Sequence, residues 1–349
     1  MKKKVAVIFG GRSTEHEVSR ISAYSIIKNI DRELFDIVMI GVTKQGEWLP
    51  YNGDIEALPD GSWEKSANPT GCSTLTKGIE AIETCDVILP VLHGQNGEDG
   101  TVQGLFELMD LPYVGCGVFA SAACMDKVYT KIIFEKAGIP QAKYIYIKRE
   151  NDGYNSINDK FEEEKLDLEK IIKEIGFPMF VKPSNSGSSV GVKKATNREE
   201  LKMAIENAGK YDRKILVEQG INAKEVECAV LDDKEVKAST VGEIQAAEEF
   251  YSFDAKYNMP ESKTIIPAEI KEEQIETIRK LAIKAFKAID GKGLARVDFF
   301  IDKETEKIYI NEINTMPGFT KISMYPKLFE AVGISYSDLL DKLVQNALK

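Results

Sequence analysis

Short apolar strands alternate with helical segments along the first third of the chain. Residues 5–9 form a continuous apolar run, which is typical of strands buried on both faces of a parallel sheet. A glycine pair follows, and a Thr-x-x-Glu capping box at residues 14–17 predicts a helix that ends near residue 30. Further apolar strands are predicted at 35–42 and 86–92. This order of strand and helix favours an open parallel α/β sheet.

The rest of the chain mixes strands and helices less regularly. The stretch at 149–167 is polar, and we expect it to be an exposed insertion without core contacts. Apolar residues with helical spacing predict an amphipathic helix at 270–288. Strands are predicted at 144–147, 180–182, 215–221, 225–231 and 235–241, and on either side of a charged turn at 302–307.

The two strands that flank this charged turn form a predicted β-hairpin with a polar face. Alternation places Arg296 and Asp298 on one face of the first strand, and Glu312 and Asn314 on one face of the second. If Asp298 lies opposite or diagonal to Glu312, the two carboxylates repel each other unless a cation lies between them. The apolar residues on the other face are predicted core: Val297, Phe299, Ile301 and Ile313.

Oxygen ligands that leave several coordination positions free suit Mg²⁺, which takes the rest of its ligands from water and substrate phosphates. We therefore interpret the hairpin as a site for a nucleotide and a metal ion. In a reaction of such a nucleotide, Arg296 would face the negative charge that moves. The alternative is the solvated outer face of an edge hairpin, where Asp, Glu and Asn are common. The spacing alone does not decide between these two.

Two glycine-containing loops follow predicted parallel strands, at residues 11–15 and 93–100. Ligands of open α/β sheets collect at the carboxyl ends of the strands, so we expect both loops to share one crevice. A carboxylate at Glu15 repels phosphate and suits an ammonium group, although it could also simply complement the helix dipole. For His93 by itself, a structural hydrogen bond is the default expectation.

A loop of small residues at 183–191 follows a buried strand that carries Lys182. Such a loop is rich in N–H and hydroxyl donors, as a flap over phosphates must be. The lysine precedes the glycines, so this is not a Walker A loop; a plain Ser/Gly surface linker is the alternative. The aromatic segment at 250–258 fits either a loop that closes over a site or part of the core.

The composition of the 349-residue chain, 43% hydrophobic and 29% charged, is that of a soluble globular protein. A net charge of −10 argues against nucleic acid as a partner but permits a mononucleotide. The first apolar run is too short for a signal peptide and no stretch reaches membrane-spanning length, so we expect a cytoplasmic protein without membrane contact. Five scattered cysteines predict free thiols, and two histidines exclude histidine-rich metal chemistry.

Seven segments, in this order, resemble motifs of the D-alanine–D-alanine ligase family within the ATP-grasp superfamily. Each is weak alone, but the ordered set spans nearly the whole chain. The segments are GGRSTEHEVS (10–19), HGQNGEDG (93–100), MDK (125–127), VKPSNSGSSVG (181–191), AKY (255–257), RVD (296–298) and NEINTMPG (311–318).

This resemblance implies an α/β protein in which an open parallel α/β domain precedes a two-domain ATP-grasp fold, with ATP between two α+β subdomains. The expected domains are a Rossmann-like N-terminal domain at 1–120, a central ATP-grasp subdomain at 121–222 and a C-terminal catalytic subdomain at 223–349. The family is commonly dimeric, so the resemblance also implies a homodimer.

The resemblance further implies sites for ATP and for two Mg²⁺ or Mn²⁺ ions. The metal ligands are expected to be Asp298, Glu312 and Asn314, with Glu312 bridging the two ions. Lys127 and Lys182 are expected to hold phosphates beneath the flap. The full set of expected nucleotide contacts is Lys127, Lys182, Ser188, Ser189, Glu218, Ile221, Glu225, Lys256 and Asn311.

The resemblance also implies sites for two D-alanine molecules. Glu15 is expected to bind the ammonium group of the first and Ser323 the carboxylate of the second. The expected substrate contacts are Glu15, His93, Arg296, Gly318, Ser323 and Met324. The expected catalytic residues are Glu15, Ser188, Tyr257, Arg296, Gly318 and Ser323, with Ser188 tying Glu15 to Tyr257 and with Arg296 and the Gly318 N–H stabilising an oxyanion.

The implied reaction makes the D-alanyl-D-alanine dipeptide for peptidoglycan through an acyl phosphate. Relatives use D-serine or D-lactate as the second substrate. The pair Lys256 and Tyr257 favours an amine nucleophile and Met324 favours D-alanine, whereas residues 41–51 resemble both the D-serine and the D-alanine branches. Alternatives outside this family are a carboxylate–amine ligase of another pathway, such as biotin carboxylase or glutathione synthetase, and a non-catalytic nucleotide-binding regulator.

Overall fold

Three β-sheets form the framework of the part of the chain that the computed structural model describes, residues 2–67, 69, 75–151, 153–245 and 263–349. Four of the expected free cysteines lie in these ranges and are unpaired thiols. The described helices include none with the length and apolar character that crossing a membrane requires.

The first sheet is parallel except at one edge. Its strands are β1 (Lys3–Gly10), β2 (Phe35–Val42), β3 (Trp48–Tyr51) and β4 (Val87–Val91), in the order β3-β2-β1-β4. β1 runs parallel to β2 and β4, as the apolar runs predicted, whereas β3 runs antiparallel to β2. Pro50 lies in β3, where an edge position tolerates its missing N–H. The sheet is therefore mixed at this edge.

The first helix begins later than its sequence predicted. The helices of this region are α1 (His16–Asn29), α2 (Trp63–Ala67), α3 (Thr76–Ile82) and α4 (Thr101–Leu108), with a 3₁₀ turn at Ile55–Ala57. The expected capping box is wrong, because the Thr14 hydroxyl donates to the Glu15 carboxylate at 2.8 Å instead of capping the helix. Glu15 becomes the N-cap residue of α1.

The second sheet is antiparallel. Its strands are β5 (Tyr144–Glu150), β6 (Gly153–Ile157), β7 (Glu163–Lys165), β8 (Met179–Pro183), β9 (Lys193–Ala195) and β10 (Lys214–Gln219), in the order β7-β6-β5-β10-β8-β9. Helices of this region are α5 (Val118–Met125), α6 (Lys127–Lys136), α7 (Leu168–Ile175) and α8 (Arg198–Ala208). Apolar residues of α7 and α8 pack with those of β8 and β10 in one buried cluster.

The polar stretch at 149–167 is part of this sheet, so the expected insertion without core contacts is wrong. Strands β6 and β7 extend the sheet by antiparallel pairing. Tyr154 and Leu166 pack against the buried cluster. Pairing satisfies the backbone N–H and C=O groups of this segment, so it needs few apolar side chains to be ordered.

The third sheet carries the predicted polar hairpin. Its strands are β11 (Ala223–Asp232), β12 (Val236–Gln245), β13 (Lys263–Ile265), β14 (Leu294–Asp302) and β15 (Ile308–Asn314), in the antiparallel order β13-β12-β11-β14-β15. The predicted amphipathic helix is α9 (Glu272–Ala288), and it buries Ile275, Ile278, Ala282, Ala285 and Phe286. These residues share a core with the apolar face of β14 and β15.

The last two helices join the first sheet to the third. They are α10 (Met324–Glu330) and α11 (Tyr336–Ala347). Their buried leucines belong to the same core as Phe9 of β1 and Leu231 of β11. The buried Tyr325 hydroxyl also donates to the Val230 carbonyl at 3.0 Å. The loop after β1 and the polar hairpin are therefore fixed relative to each other. The domain boundaries expected from sequence stay a prediction.

We expect Leu343→Ala to lower the free energy of unfolding by about 3 kcal/mol, because the truncation leaves a cavity in this shared core. Leu343 is 1% exposed. The matched control is Gln345→Ala on the exposed side of the same helix, for which we expect a change within about 0.5 kcal/mol. Urea unfolding measures both. Equal effects of the two substitutions would contradict the shared core.

Candidate active site

One cleft of about 1080 Å³ receives residues from all three sheets. It is lined by every described residue that the sequence singled out as a site residue: Glu15, His93, Lys127, Lys182, Ser188, Ser189, Glu218, Ile221, Glu225, Arg296, Asp298, Asn311, Glu312, Asn314, Gly318, Ser323 and Met324. Lys256 and Tyr257 lie outside the described residues, and so does the expected tie between Ser188 and Tyr257.

The polar face of the hairpin has the register that the sequence suggested. Asp298 pairs directly with Glu312, and Arg296 pairs with Asn314. The Asn314 amide donates to Asp298 Oδ2 at 3.2 Å. The predicted core residues of the opposite face, Val297, Phe299, Ile301 and Ile313, are at most 5% exposed. The alternation therefore assigned both faces correctly around Asp298.

A β-bulge at Asn311 changes the face on which the side chains of the second strand lie. Asp298 pairs with Glu312, but the next residue, Phe299, pairs with Ile310, which leaves Asn311 as the extra residue. Strict alternation would put Ile310 on the polar face with Glu312. Because of the bulge, Ile310 is 1% exposed in the core, while Asn311 and Glu312 both line the cleft.

Arg296 lies between carboxylates of two neighbouring strands. Its Nε and Nη2 donate to Asp298 at 2.7 Å each, and Nε lies 3.0 Å from Glu227 Oε2. Burial disfavours the charged guanidinium, but attraction to Asp298 and Glu227 outweighs it and raises the pKa of Arg296. Glu227 was not identified as a site residue from the sequence. Its pairing with Asp298 across β11 and β14 gives it that position.

The oxygen donors of the hairpin can be compared with what a metal ion requires. The described residues contain no group of three or more His, Cys, Asp or Glu side chains arranged around a metal position. Two carboxylates and one amide, Asp298, Glu312 and Asn314, lie side by side on β14 and β15. Such a set is too small to enclose an ion but fits Mg²⁺, which retains waters and binds substrate phosphates.

Beside the flap, one buried carboxylate contacts two lysines. Glu218 Oε2 accepts from Lys182 Nζ at 2.6 Å, and Glu218 Oε1 forms an ion pair with Lys131. Burial opposes ionisation of Glu218, but the two ammonium groups outweigh it and lower its pKa to about 2. Burial also opposes the charge on Lys182, yet Glu218 raises the pKa of this lysine. At Lys131 burial prevails and lowers the pKa.

The flap contacts the loop that follows β1. The Ser188 hydroxyl donates to Glu15 Oε1, and a Cβ on Gly187 would lie only 2.8 Å from the same oxygen. Ser188 and Ser189 have φ values of 49° and 60°, which non-glycine residues rarely adopt outside functional loops. Lys127 Nζ donates to the Ser186 carbonyl at 2.6 Å. The flap therefore covers the cleft while it holds both Glu15 and Lys127.

His93 makes structural hydrogen bonds, as we expected for this residue by default. Its Nδ1 lies 3.0 Å from the Met316 carbonyl, and its Nε2 lies 3.1 Å from the Ser22 hydroxyl. The Met316 carbonyl can only accept, so Nδ1 donates to it. The Ser22 hydroxyl, which hydrogen-bonds Nε2, also accepts from the Phe319 N–H at 3.2 Å. His93 thus joins α1 to the segment after β15. Beside it, burial raises the pKa of Glu98, a cleft residue that the sequence did not suggest.

Gly318 and Ser323 approach each other closely at one side of the cleft. A Cβ on Gly318 would lie 2.8 Å from the Ser323 hydroxyl. That hydroxyl accepts from the Thr320 N–H at 2.9 Å and lies 2.8 Å from the Thr320 hydroxyl. The turn at 318–323 therefore needs glycine at its first position. Both Gly318 and Ser323 line the cleft.

Comparison with known families finds two adjacent matches. Residues 4–116 match the family model described as D-ala D-ala ligase N-terminus, and residues 133–345 match the one described as D-ala D-ala ligase C-terminus. Curated relatives include the D-alanine–D-alanine ligases of Acetivibrio thermocellus, 54% identical, and Ruminiclostridium cellulolyticum, 51% identical. Each alignment covers 100% of this chain and 96% of the relative.

Solved structures show the same similarity. The VanG D-Ala:D-Ser ligase from Enterococcus faecalis has a TM-score of 0.86 and 37% identity, covering 99% of this chain and 100% of that one. The D-alanine-D-alanine ligase from Coxiella burnetii has a TM-score of 0.81 and 32% identity, covering 99% and 94%. These comparisons confirm the resemblance drawn from the seven segments and the expected ATP-grasp fold class.

The ion cluster at Glu218 predicts a pH effect on stability. A pKa lowered in the folded state contributes stability above the unfolded value, and this contribution is lost as the pH falls towards the folded value of about 2. From pH 5 to pH 3, we expect the wild type to lose about 2 kcal/mol more unfolding free energy than Glu218→Gln. Urea unfolding across this range tests it. A difference between the two proteins that does not vary with pH would contradict the depressed pKa.

Proposed function

Because the chain belongs to the D-alanine–D-alanine ligase family, we propose that it uses ATP to join two molecules of D-alanine and releases ADP and phosphate. Family membership makes it an ATP-dependent carboxylate–amine ligase, as the seven segments implied. One observation carries the proposal. The cleft that contains Glu15 and the flap also contains the lysines and the acidic hairpin, so an ammonium site lies beside a phosphate site.

The proposed reaction has two steps, each of which concentrates negative charge. A carboxylate oxygen of the first D-alanine attacks the γ-phosphorus of ATP, and ADP leaves, giving an acyl phosphate. The amine of the second D-alanine then attacks the activated carbonyl, and phosphate leaves from the tetrahedral intermediate as the peptide bond forms. Preorganised positive charge stabilises both steps. Because water would hydrolyse the acyl phosphate, the flap must exclude it.

The nucleotide is proposed to lie along the flap and the end of β10. Lys127 and Lys182 would bind its phosphates, and both already lie at the flap. Glu218, Glu225 and the Ile221 backbone would bind the adenosine end. The remaining proposed nucleotide contacts are Ser188, Ser189, Asn311 and Lys256.

The two amino acids are proposed to lie between the flap and the turn at 318–323. Glu15 would accept hydrogen bonds from the first ammonium group, with its orientation fixed by Ser188. Ser323 would bind the second carboxylate, beside Met324. Arg296 and the Gly318 N–H would donate to the oxyanion, and loss of one such donor costs about 3 kcal/mol. His93 supports this end of the cleft through Met316, and Tyr257 is proposed to bind Ser188.

Asp298, Glu312 and Asn314 would hold two Mg²⁺ or Mn²⁺ ions, with Glu312 shared between them. When bound, these ions would supply positive charge that neutralises the phosphate oxygens. Arg296 holds the Asp298 carboxylate with two hydrogen bonds and so fixes the position that this ligand would take.

D-serine is the second candidate for the accepting amino acid. It is favoured by the high structural similarity to the VanG D-Ala:D-Ser ligase. D-alanine is favoured by the curated relatives at about 50% identity and by Met324 beside Ser323. We also propose that the enzyme works as a cytoplasmic homodimer, independent of nucleic acid and membrane, in peptidoglycan biosynthesis.

Phosphate release tests the reaction and its second substrate together. We expect ATP turnover to require D-alanine, and D-alanyl-D-alanine to accumulate with one phosphate per dipeptide. With D-serine or D-lactate added to limiting D-alanine, the mixed products are expected to remain minor, which mass spectrometry of the products measures. Nucleotide binding without phosphate release under any of these conditions would favour a non-catalytic regulator, and a dominant D-alanyl-D-serine product would favour the second candidate.

Glu312→Gln tests the acidic hairpin. We expect the turnover number to fall at least about 100-fold, because a neutral amide is a far weaker ligand for magnesium than a carboxylate. The melting temperature is expected to change little, since Glu312 faces the cleft. Glu304→Gln, an exposed residue in the turn of the same hairpin, is the matched control. Normal turnover in the Glu312 variant would refute its proposed role.

A further inference from the structure

Lys131 is a buried ammonium group directly beneath the nucleotide end of the cleft. It is 3% exposed, whereas its partner Glu218 and the neighbouring Lys182 both line the cleft. Its Nζ forms an ion pair with Glu218 Oε1 and lies 5.6 Å from the centre of the Tyr144 ring. Among the residues proposed for the reaction, Lys131 does not appear.

Each carboxylate oxygen of Glu218 contacts a different lysine. Lys182, on β8, contacts Oε2, and Lys131, on α6, contacts Oε1. Two ammonium groups and one carboxylate leave a net charge of +1 at this end of the cleft. If Lys131 were neutral, Glu218 and Lys182 would form a neutral pair, and polyphosphate would meet no net charge there.

We propose that Lys131 is a positioning residue for nucleotide binding, which occupies one oxygen of Glu218 so that Lys182 remains oriented and available for phosphate. Its role rests on the ATP-dependent activity proposed above. Lys131 acts through Glu218 and does not itself contact the nucleotide.

Packing alone does not account for an ammonium group at this position. Replacing both members of a buried ion pair by apolar residues of similar volume is often neutral or stabilising, so stability alone does not require Lys131 and Glu218 to be charged. Lys131 also lies four residues after Lys127 on α6, hence on the same side of the helix. One helix therefore positions a phosphate lysine and the counter-charge that keeps a second phosphate lysine available.

The end of α6 that carries both lysines is fixed to the start of the flap. The Val128 N–H donates to the Ser184 hydroxyl at 3.0 Å, and the Lys127 N–H donates to the Ser184 carbonyl at 3.1 Å. Asp126 caps the helix and pairs with Lys214 of β10. Glu218 lies on the same strand, so hydrogen bonds and ion pairs link α6, β8 and β10 around the cluster.

Titration calorimetry with ADP tests this role because it measures two quantities separately. The dissociation constant reports how tightly each folded site binds ADP, and the stoichiometry reports what fraction of the protein can bind at all. We expect Lys131→Met to weaken ADP binding roughly 10- to 100-fold, while the KM for D-alanine at saturating ATP stays within about 2-fold. Lys131→Arg keeps the charge and is expected to bind ADP nearly as the wild type does. Lys136→Met, an exposed lysine near the end of the same helix, is the control and is expected to have no effect.

The double variant Lys131→Met with Glu218→Gln separates charge from packing. Because Glu218 is itself a proposed nucleotide contact, the reference for the double variant is the single variant Glu218→Gln. Without the carboxylate Lys131 has no charge to offset, so we expect the double variant to bind ADP within about 3-fold of Glu218→Gln. A normal dissociation constant in Lys131→Met, even with fewer competent sites, would overturn the proposal. It would also be overturned if the double variant bound ADP more than about 10-fold more weakly than Glu218→Gln does. If Lys131→Met does not fold, Lys131→Arg and the double variant still decide between these outcomes. Wild-type protein that binds ADP but makes no dipeptide would refute the ligase activity while leaving this comparison valid.

Discussion

Three carboxylates lie close together on one face of the third sheet, and their mutual repulsion constrains what the surrounding elements must supply. Asp298, Glu312 and Glu227 lie on three adjacent strands and point to the same side. Carboxylates on directly paired residues of adjacent strands repel each other unless cations lie between them. Arg296 supplies one such charge, bonded to Asp298 and close to Glu227. In the same cleft, Lys127 at the start of α6 and Lys182 on β8 provide charge of the opposite sign. A substrate that brings phosphates and metal ions would complete this balance.

The shared core explains how distant parts of the chain meet in this cleft. Helices α10 and α11 pack between the first and third sheets, so the loop carrying Glu15 has a fixed place relative to the acidic hairpin. His93 adds a polar link, because its ring joins Ser22 on α1 to Met316 after β15. The flap of the second sheet then reaches Glu15 through Ser188. Rigid elements thus position the substrate end, and the flap closes it.

The local features of the site could be predicted from sequence, and the long-range ones could not. Side-chain alternation is a property of neighbouring residues, so it assigned Asp298 and Glu312 each to the polar face of its own strand before the register that pairs them was known. The bulge at Asn311 adds one residue without a compositional sign, so it was missed. The contact of Glu15 with Ser188 spans 173 positions and depends on how the sheets pack. Lys131 gave only one signal, its spacing of four from Lys127, because its partner lies on β10.

We propose that the acidic hairpin and the lysines beside the flap, Lys127 and Lys182, bind one nucleotide between them. A crystal structure of the chain with ADP and magnesium would show this arrangement. We expect magnesium at about 2.1 Å from oxygens of Asp298, Glu312 and Asn314, and phosphate oxygens within hydrogen-bond distance of Lys127 and Lys182. Nucleotide bound away from the hairpin, or magnesium absent from these three side chains at saturating concentration, would contradict it.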